Sequence, residues 1–408
     1  MPAIKRHLAG THRLVTPTET VERMRRMMPI TGITRIADVT GLDTIGIPVV
    51  MVVRPNARSL SVSQGKGMDL DAARASGLME SLELWHAEQI DRPLKLATFN
   101  ELRFTHRLVG VAALPALLVG QFHQNYRTLW IEGTNLLDGA STWVPHEMVH
   151  MDYTLPLPSG SGSFLMSSRG LASGNAPQEA LAHALCELIE HDCTTLHRSS
   201  TEAIQRSRRV DPDTVDDAGC RELLGMYERA GVEVAIWDTT SDVGVAAFMC
   251  TIVDREPNPN RLIGPMGGLG CHLSRAVALS RALTEAAQSR LTLITGSRDD
   301  VLHQAPQSAS RDVEAARRMT AALAAEPRTR HFHETPDRWN ESFDDDLAQL
   351  LERLRAVGIE EVVAVDLTKD LFEIPVVRVI VPGLEPLSDV PGYRPGARAR
   401  RRLLENVQ

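Results

Sequence analysis

Apolar and polar positions along the chain follow two rhythms. Runs rich in apolar and β-branched residues at Ile47–Val53, Arg127–Glu132, Val232–Trp237, Val245–Val253, Glu360–Val365 and Val376–Val381 predict strands. Apolar residues recurring every three to four positions predict long helices over Leu70–Gln89, Pro177–His197 and Leu273–Ile294. Shorter helices are expected near Arg221–Ala230 and Asp345–Val357. Proline- and glycine-rich stretches at Leu155–Gly162, Glu256–Asn260 and Pro391–Gly396 read as loops. Helices interleaved with strands indicate an α/β class of mixed α+β character.

Two internal similarities organise this pattern. Residues 221–254 resemble residues 347–383: in each, a helix ends near a glycine, a strand runs to an aspartate (Asp238, Asp366), and a second strand follows. Such a helix–strand–strand unit cannot bury its apolar face alone, so it serves as scaffold packed on other layers. The second similarity carries chemistry. SGLMESLE at 76–83, HALCELIE at 183–190 and RALTEAAQ at 281–288 align without gaps, pairing Glu80 with Glu83, Glu187 with Glu190 and Glu285 with Gln288. Glycine-bearing segments precede each helix: SQGKG at 63–67, GLASGN at 170–175 and GGLGCH at 267–272. They read as loops leading into helix N-termini, where backbone N–H groups favour anions.

Residues three apart share one helix face. The flanking Leu78, Leu82, Leu185, Ile189 and Leu283 are apolar, so these faces are expected to turn inward. Burying one unpartnered carboxylate costs several kcal/mol, and several together demand cations. Mg2+ characteristically sits between carboxylates and phosphate oxygens. Lys66, Arg281, Arg290 and Arg298 are candidate phosphate contacts. SQGKG is not a P-loop, because Leu60 occupies the position of its first glycine.

Composition narrows the classes. With 44 Lys+Arg against 52 Asp+Glu, the chain of 408 residues carries a formal charge of −8, which argues against broad nucleic-acid binding. The opening MPAIKRHLAGTHR lacks the apolar stretch of a secretory signal, and the apolar run Val109–Val119 is too short to span a bilayer. The five cysteines form no C-x-x-C pair, so we expect reduced, mostly buried thiols in a cytoplasmic protein.

GTHR with TPTET at 10–20, SQGKG with SGLMESLE, GLASGN with E-x7-E-x2-E, and SRALTEAAQSR with GSRDD together resemble the YcaO family, and the likeness runs on to VVRVIVPGLEP at 377–386. The resemblance implies a YcaO-type fold in which the three acidic helices surround a nucleotide. Residues 61–408 would then form the catalytic domain, with 1–60 an N-terminal segment integral to it. It implies ATP and Mg2+ as cofactors. Glu80, Glu83, Glu187, Glu190 and Glu285 would be metal ligands, and Lys66, Ser76, Asn175, Glu179, Gln288 and Arg290 would contact the nucleotide. His191 departs from the pattern, since many members have arginine directly after the last glutamate.

The implied activity is modification of a peptide backbone amide. A nucleophile attacks the carbonyl, the oxyanion takes the γ-phosphoryl group of ATP, and phosphate leaves. This asks the protein for positioning and charge neutralisation, consistent with the lack of a Ser-His-Asp or Cys-His signature. The chain ends RRRLLENVQ without the P-x-P-x-P tail of azoline-forming relatives, and no leader-binding domain precedes it. With the GTHR opening, these features look more like the TfuA-associated branch, which makes thioamides. The resemblance therefore implies a substrate peptide or protein, a TfuA-like partner, a sulfide source and a homodimer. Alternatives are an azoline-forming cyclodehydratase and an accessory factor to a ribosomal-protein methylthiotransferase. His12, His86 and His272 are candidate general bases. A remote alternative is a zinc peptidase through HEMVH at 146–150, in which two histidines one helical turn apart would bind Zn2+.

Overall fold

The computed structural model describes residues 2–258, 262–297, 313–389 and 392–406, so Asn260, Arg298 and Pro391, all named above, lie outside the described residues. The chain opens with α1 (Pro17–Thr31), β1 (Arg35–Asp38), β2 (Val49–Val53), β3 (Val62–Lys66) and α2 (Leu70–Glu88). It continues through β4 (Leu94–Ala97), α3 (Phe99–Leu102), β5 (Thr128–Asn135), β6 (Ser141–Pro145), β7 (Leu171–Ser173), α4 (Pro177–Arg198) and α5 (Glu202–Ser207). Next come α6 (Ala218–Arg229), β8 (Val232–Asp238), β9 (Ala246–Asp254), β10 (Met266–His272), α7 (Arg275–Thr295) and α8 (Val313–Ala325). The last elements are α9 (Phe343–Ala356), β11 (Val363–Asp366), β12 (Val376–Ile380) and α10 (Ala397–Glu405).

The strands form three sheets: β1-β2-β3, β10-β9-β8, and β4-β5-β11-β12-β7 with β6 added on β5. The expected repeat is visible in the topology. In α6–β8–β9 the strands pair antiparallel within the small sheet. In α9–β11–β12 they also pair antiparallel, but lie between β5 and β7 in the large sheet. Among the described residues no helix is long and apolar enough to cross a membrane, and all five cysteines are free and buried.

One expectation needs correction. The three glycine-bearing segments are largely strands: SQGKG lies in β3, GLASGN contributes β7, and GGLGCH is most of β10. Their glycines serve packing, because each strand lies against the helix that follows it. A Cβ on Gly65 would land on the carbonyl oxygen of Ala73 in α2, and one on Gly268 would land on that of Ala282 in α7. Only glycine lets backbone approach backbone this closely. The result is three strand–helix units, β3–α2, β7–α4 and β10–α7, whose helices present their middles, not their N-termini, to one another.

The helix α1 was not anticipated. It begins with a capping box, in which Thr16 and Glu19 bond each other's backbone N–H, and it stops at Gly32 with φ 76°. Its sequence carries Pro29 near the end, a breaker that masks the pattern.

Candidate functional site

The middles of α2, α4 and α7 bring all five predicted metal-binding glutamates into one region, and four of them accept from backbone N–H groups. Glu83 accepts from the Ser173 N–H at 2.8 Å and from its hydroxyl at 2.6 Å. Glu187 accepts from the Gly170 N–H at 3.1 Å. Glu285 accepts from the Leu269 N–H at 3.1 Å and pairs with Lys66. Gln64 N–H lies 3.4 Å from Glu80. Thus β3, β7 and β10 do reach the acids through N–H groups, although by strand edges in place of helix-leading loops.

The electrostatics are those of a site short of positive charge. Burial, joined by the charges of Glu80 and Glu187, raises the Glu83 carboxyl to about 8 despite its bonds to Ser173. Burial and the neighbouring Glu285 push Glu190 up to about 8 as well. Glu187 is also raised by burial, against the pull of Arg281, Arg378 and Arg169. Glu190 is 4% exposed, and its Oε2 has no hydrogen-bond partner. For Arg281, burial opposes the charge, but Glu190, Cys186, Glu285 and Glu187 outweigh it and raise its pKa.

Among the described residues no three His, Cys, Asp or Glu side chains are gathered closely enough to hold a metal alone. That suits Mg2+, which takes one or two carboxylates and completes its shell with phosphate oxygens and water. An orphaned carboxylate oxygen, mutually repelling acids and basic groups at their margin fit a magnesium–phosphate ligand.

The remaining predicted residues divide. Ser76 and Gln288 are half-buried, one turn from Glu80 and Glu285 respectively. Asn175 donates to Glu179 at 3.2 Å, and Glu179 also accepts from the Leu14 N–H at 3.0 Å. Arg290 is placed elsewhere. It is buried in ion pairs with Asp43 and Asp254, both at 2.8 Å, on another face of α7 from Glu285. Its charge is already met, so the expected nucleotide contact is not supported by its position.

Sequence reasoning gave no role to several neighbours. Arg13 lies 3.7 Å from Glu179, and Arg23 donates to the Asn175 amide oxygen at 3.2 Å. Arg13 belongs to GTHR and Arg23 lies three residues past TPTET in α1; the motif was visible, but neither arginine was singled out. Arg281, already a candidate phosphate contact, approaches His183 at 3.0 Å, and a small cleft beside the acids is lined by Arg13, Glu179, His183, His272, Arg281 and Phe343.

Of the candidate bases, His272 borders this cleft and packs edge-on against His12 at 4.8 Å. His86 instead bonds the Leu82 carbonyl at 2.8 Å and packs against Trp85 and Phe372, away from the acids. Burial lowers it to about 4. His191 is buried, its Nδ1 has no partner, and burial with the nearby Arg169 lowers it to about 3. It is neutral and does not replace a guanidinium.

The zinc-peptidase reading fails on geometry. HEMVH forms a single 3-10 turn at His146–Met148, where the two imidazoles stack at 4.6 Å. Glu147 is committed to a loop, accepting from the Ser163 and Phe164 N–H groups at 3.1 Å each, so it is not a free general base.

A family model described as YcaO cyclodehydratase, ATP- and Mg2+-binding, matches residues 64–385. The chain belongs to the YcaO family. ATP and Mg2+ are accordingly its cofactors. A Rhizobium leguminosarum bv. trifolii protein described as lying in the tfuA 3' region is 36% identical over 394 residues, covering 94% of this chain and 91% of that one. A Methanothermobacter thermautotrophicus protein is 36% identical over 392 residues, covering 95% and 98%. The fold matches YcaO from Methanopyrus kandleri bound with AMPPCP and Mg2+, with a TM-score of 0.74, 22% identity and coverage of 97% of this chain and 100% of that one. It also matches a heterocyclase in complex with substrate and cofactor, with a TM-score of 0.75, 22% identity and coverage of 98% of this chain but 55% of the heterocyclase. This YcaO chain thus has the mixed α/β architecture of structurally known members.

Proposed function

We propose that the chain modifies a backbone amide of a ribosomally made peptide or protein, replacing amide oxygen by sulfur with a TfuA-like partner. The observation that carries the reading is the meeting of Glu80, Glu83, Glu187, Glu190 and Glu285 beside Lys66 and Arg281. The relative from a tfuA region, similar along almost the whole chain, supports the sulfur branch.

ATP supplies the means of turning an amide oxygen, a very poor leaving group, into a good one. The chain's own residues bind and position. The glutamates would hold Mg2+ through one or two carboxylates together with phosphate oxygens, and its charge would favour the ionised forms of Glu83, Glu187 and Glu190, which burial disfavours. Lys66 pairs with Glu285, and a cation held at Glu285 would leave its ammonium available to phosphate. Ser76, Asn175, Glu179 and Gln288 border the nucleotide, while Arg281 neutralises charge near the phosphates. Residues 1–60 act as part of the domain formed with 61–408: β1 and β2 share a sheet with β3, and Leu14 reaches Glu179.

The test is to incubate the purified chain with a TfuA-like protein, sulfide, Mg-ATP and a candidate peptide, and to read the product by mass spectrometry. Exchange of oxygen for sulfur, dependent on ATP, is expected. Loss of water would assign the azoline branch instead, and an unchanged peptide across the peptides encoded nearby would count against catalysis.

A further inference from the structure

Strand β12 is apolar except at one position. Val376, Val377, Val379 and Ile380 are hydrophobic, whereas Arg378 stands at its centre, 2% exposed. By the two-residue period of a strand, Arg378 shares a face with Val376 and Ile380. Both belong to the core that also contains Leu78, Leu82, Met148 and Phe372. One Arg378 nitrogen, Nη2, donates to the Ser167 carbonyl at 2.5 Å. Its Nε and Nη1 are buried without a hydrogen-bond partner, and so is Nη1 of the half-buried Arg169.

A single glycine draws these groups together. The Gly170 N–H donates to Glu187 at 3.1 Å, and its carbonyl accepts from the Val379 N–H at 2.7 Å. Gly170 has φ +72°, and a Cβ there would strike the Val379 carbonyl, so the turn requires glycine. It sets Arg169 and Arg378 beside the same carboxylate. Burial lowers Arg378 to about 10, which leaves it charged at neutral pH. Glu187 and the more distant Tyr153 and Asp389 face the pair, while His191 beside Arg169 is neutral.

Two guanidiniums against one close carboxylate leave an excess of positive charge, with three donor nitrogens unused. Keeping a charge buried with idle donors is costly unless a ligand of opposite charge meets it. Guanidinium forks fit tetrahedral or planar oxyanions, and three donors suit phosphate better than the two oxygens of a carboxylate. We propose that Arg169 and Arg378 form a second oxyanion pocket behind Glu187, one that takes inorganic phosphate. The proposal rests on the ATP-dependent reading for its source of phosphate, namely the anion released when the activated amide oxygen departs. Glu187 is acted on by Arg281, which lines the cleft beside the acids, and also by Arg169 and Arg378, which the Gly170 turn and β12 bring to it.

The experiment titrates the full-length chain with inorganic phosphate, by calorimetry and thermal melting, in parallel with acetate and with Mg-ATP. Wild type is expected to bind phosphate and to melt higher in its presence. Arg378→Met should weaken phosphate at least about tenfold, the equivalent of one charge-assisted hydrogen bond. It should bind Mg-ATP, and it should melt no lower than wild type without ligand, because an unmet buried charge is replaced by an apolar side chain. If Arg378→Met does not fold, the same titrations on Arg169→Gln, in the half-exposed turn, decide the matter. Unchanged phosphate affinity, a lower melting temperature marking a structural role, or acetate binding as tightly as phosphate would each overturn the pocket. Failure of wild type to bind Mg-ATP would instead strike the function proposed above, since the phosphate titration needs no nucleotide.

Discussion

Less than two turns apart on α7, Glu285 and Arg290 show two opposite ways of keeping charge inside a protein. Arg290 is held by Asp43 and Asp254, from the N-terminal segment and from β9, and its side chain is 1% exposed. Glu285 faces Lys66 but also crowds Glu190, whose own carboxyl is driven toward its neutral form. The first set is neutralised within the chain and anchors α7 to its neighbours. The second is left unbalanced by the chain itself. Where charge is fully met it serves architecture, and where it is left unmet at such cost it calls for a ligand.

Breaking the unbalanced set should have the largest consequence. Glu80→Ala is expected to abolish Mg-ATP binding in calorimetric titration while the circular dichroism and melting of the protein stay near wild type, and Glu187→Ala to abolish it with a lower melting temperature, because Arg169 and Arg378 lose their close carboxylate. Near-normal nucleotide affinity in both variants would remove these residues from the site. Breaking the balanced set should do the reverse. Arg290→Met strands buried Asp43 and should cost about 3–5 kcal/mol in denaturant unfolding, with Mg-ATP affinity retained by the folded fraction. Loss of nucleotide binding without loss of stability would return Arg290 to the site.

A smaller effect sharpens the contrast through pH. Glu83 and Glu190 have folded pKa values of about 8 against a reference of 4.5, so the folded state binds their protons more tightly than the unfolded state. Their contribution therefore favours folding at low pH and is lost as pH rises from about 4.5 through about 8. The melting temperature of the ligand-free wild type, relative to a Glu83→Gln/Glu190→Gln variant, should fall across that window. Mg-ATP should suppress the difference in slope by stabilising the ionised form. A parallel pH profile for the two proteins would mean that these carboxyls are not perturbed as described.

The acidic motifs were legible because a helix repeats every three to four residues whatever surrounds it, so Glu80/Glu83 and Glu187/Glu190 declared a common face. The main strands and helices were legible for the same reason. The glycine segments misled because glycine usually punctuates, whereas in Gly65, Gly268 and Gly170 the missing side chain makes room for the backbone of a packed neighbouring element. Arg290 sits in a motif-like position, but only the fold reveals Asp43 and Asp254 beside it. Arg378 was hidden inside a run read as a strand, and Arg169 in a short turn. Nothing local marks either arginine, because their meaning lies in the lack of partners after folding.

The large sheet places β11 and β12 between β5 and β7, although residues 363–380 are made long after 128–135 and 171–173. During synthesis from N- to C-terminus, β5 pairs early with β4 and β6, whereas β7 waits for β12, so a chain halted before β12 carries an unpaired strand. Arg398 of α10, still later in translation, reaches back to grip Asp192 at the far end of α4. This late stretch thus acts as a keystone that ties the second half of the chain back onto α4.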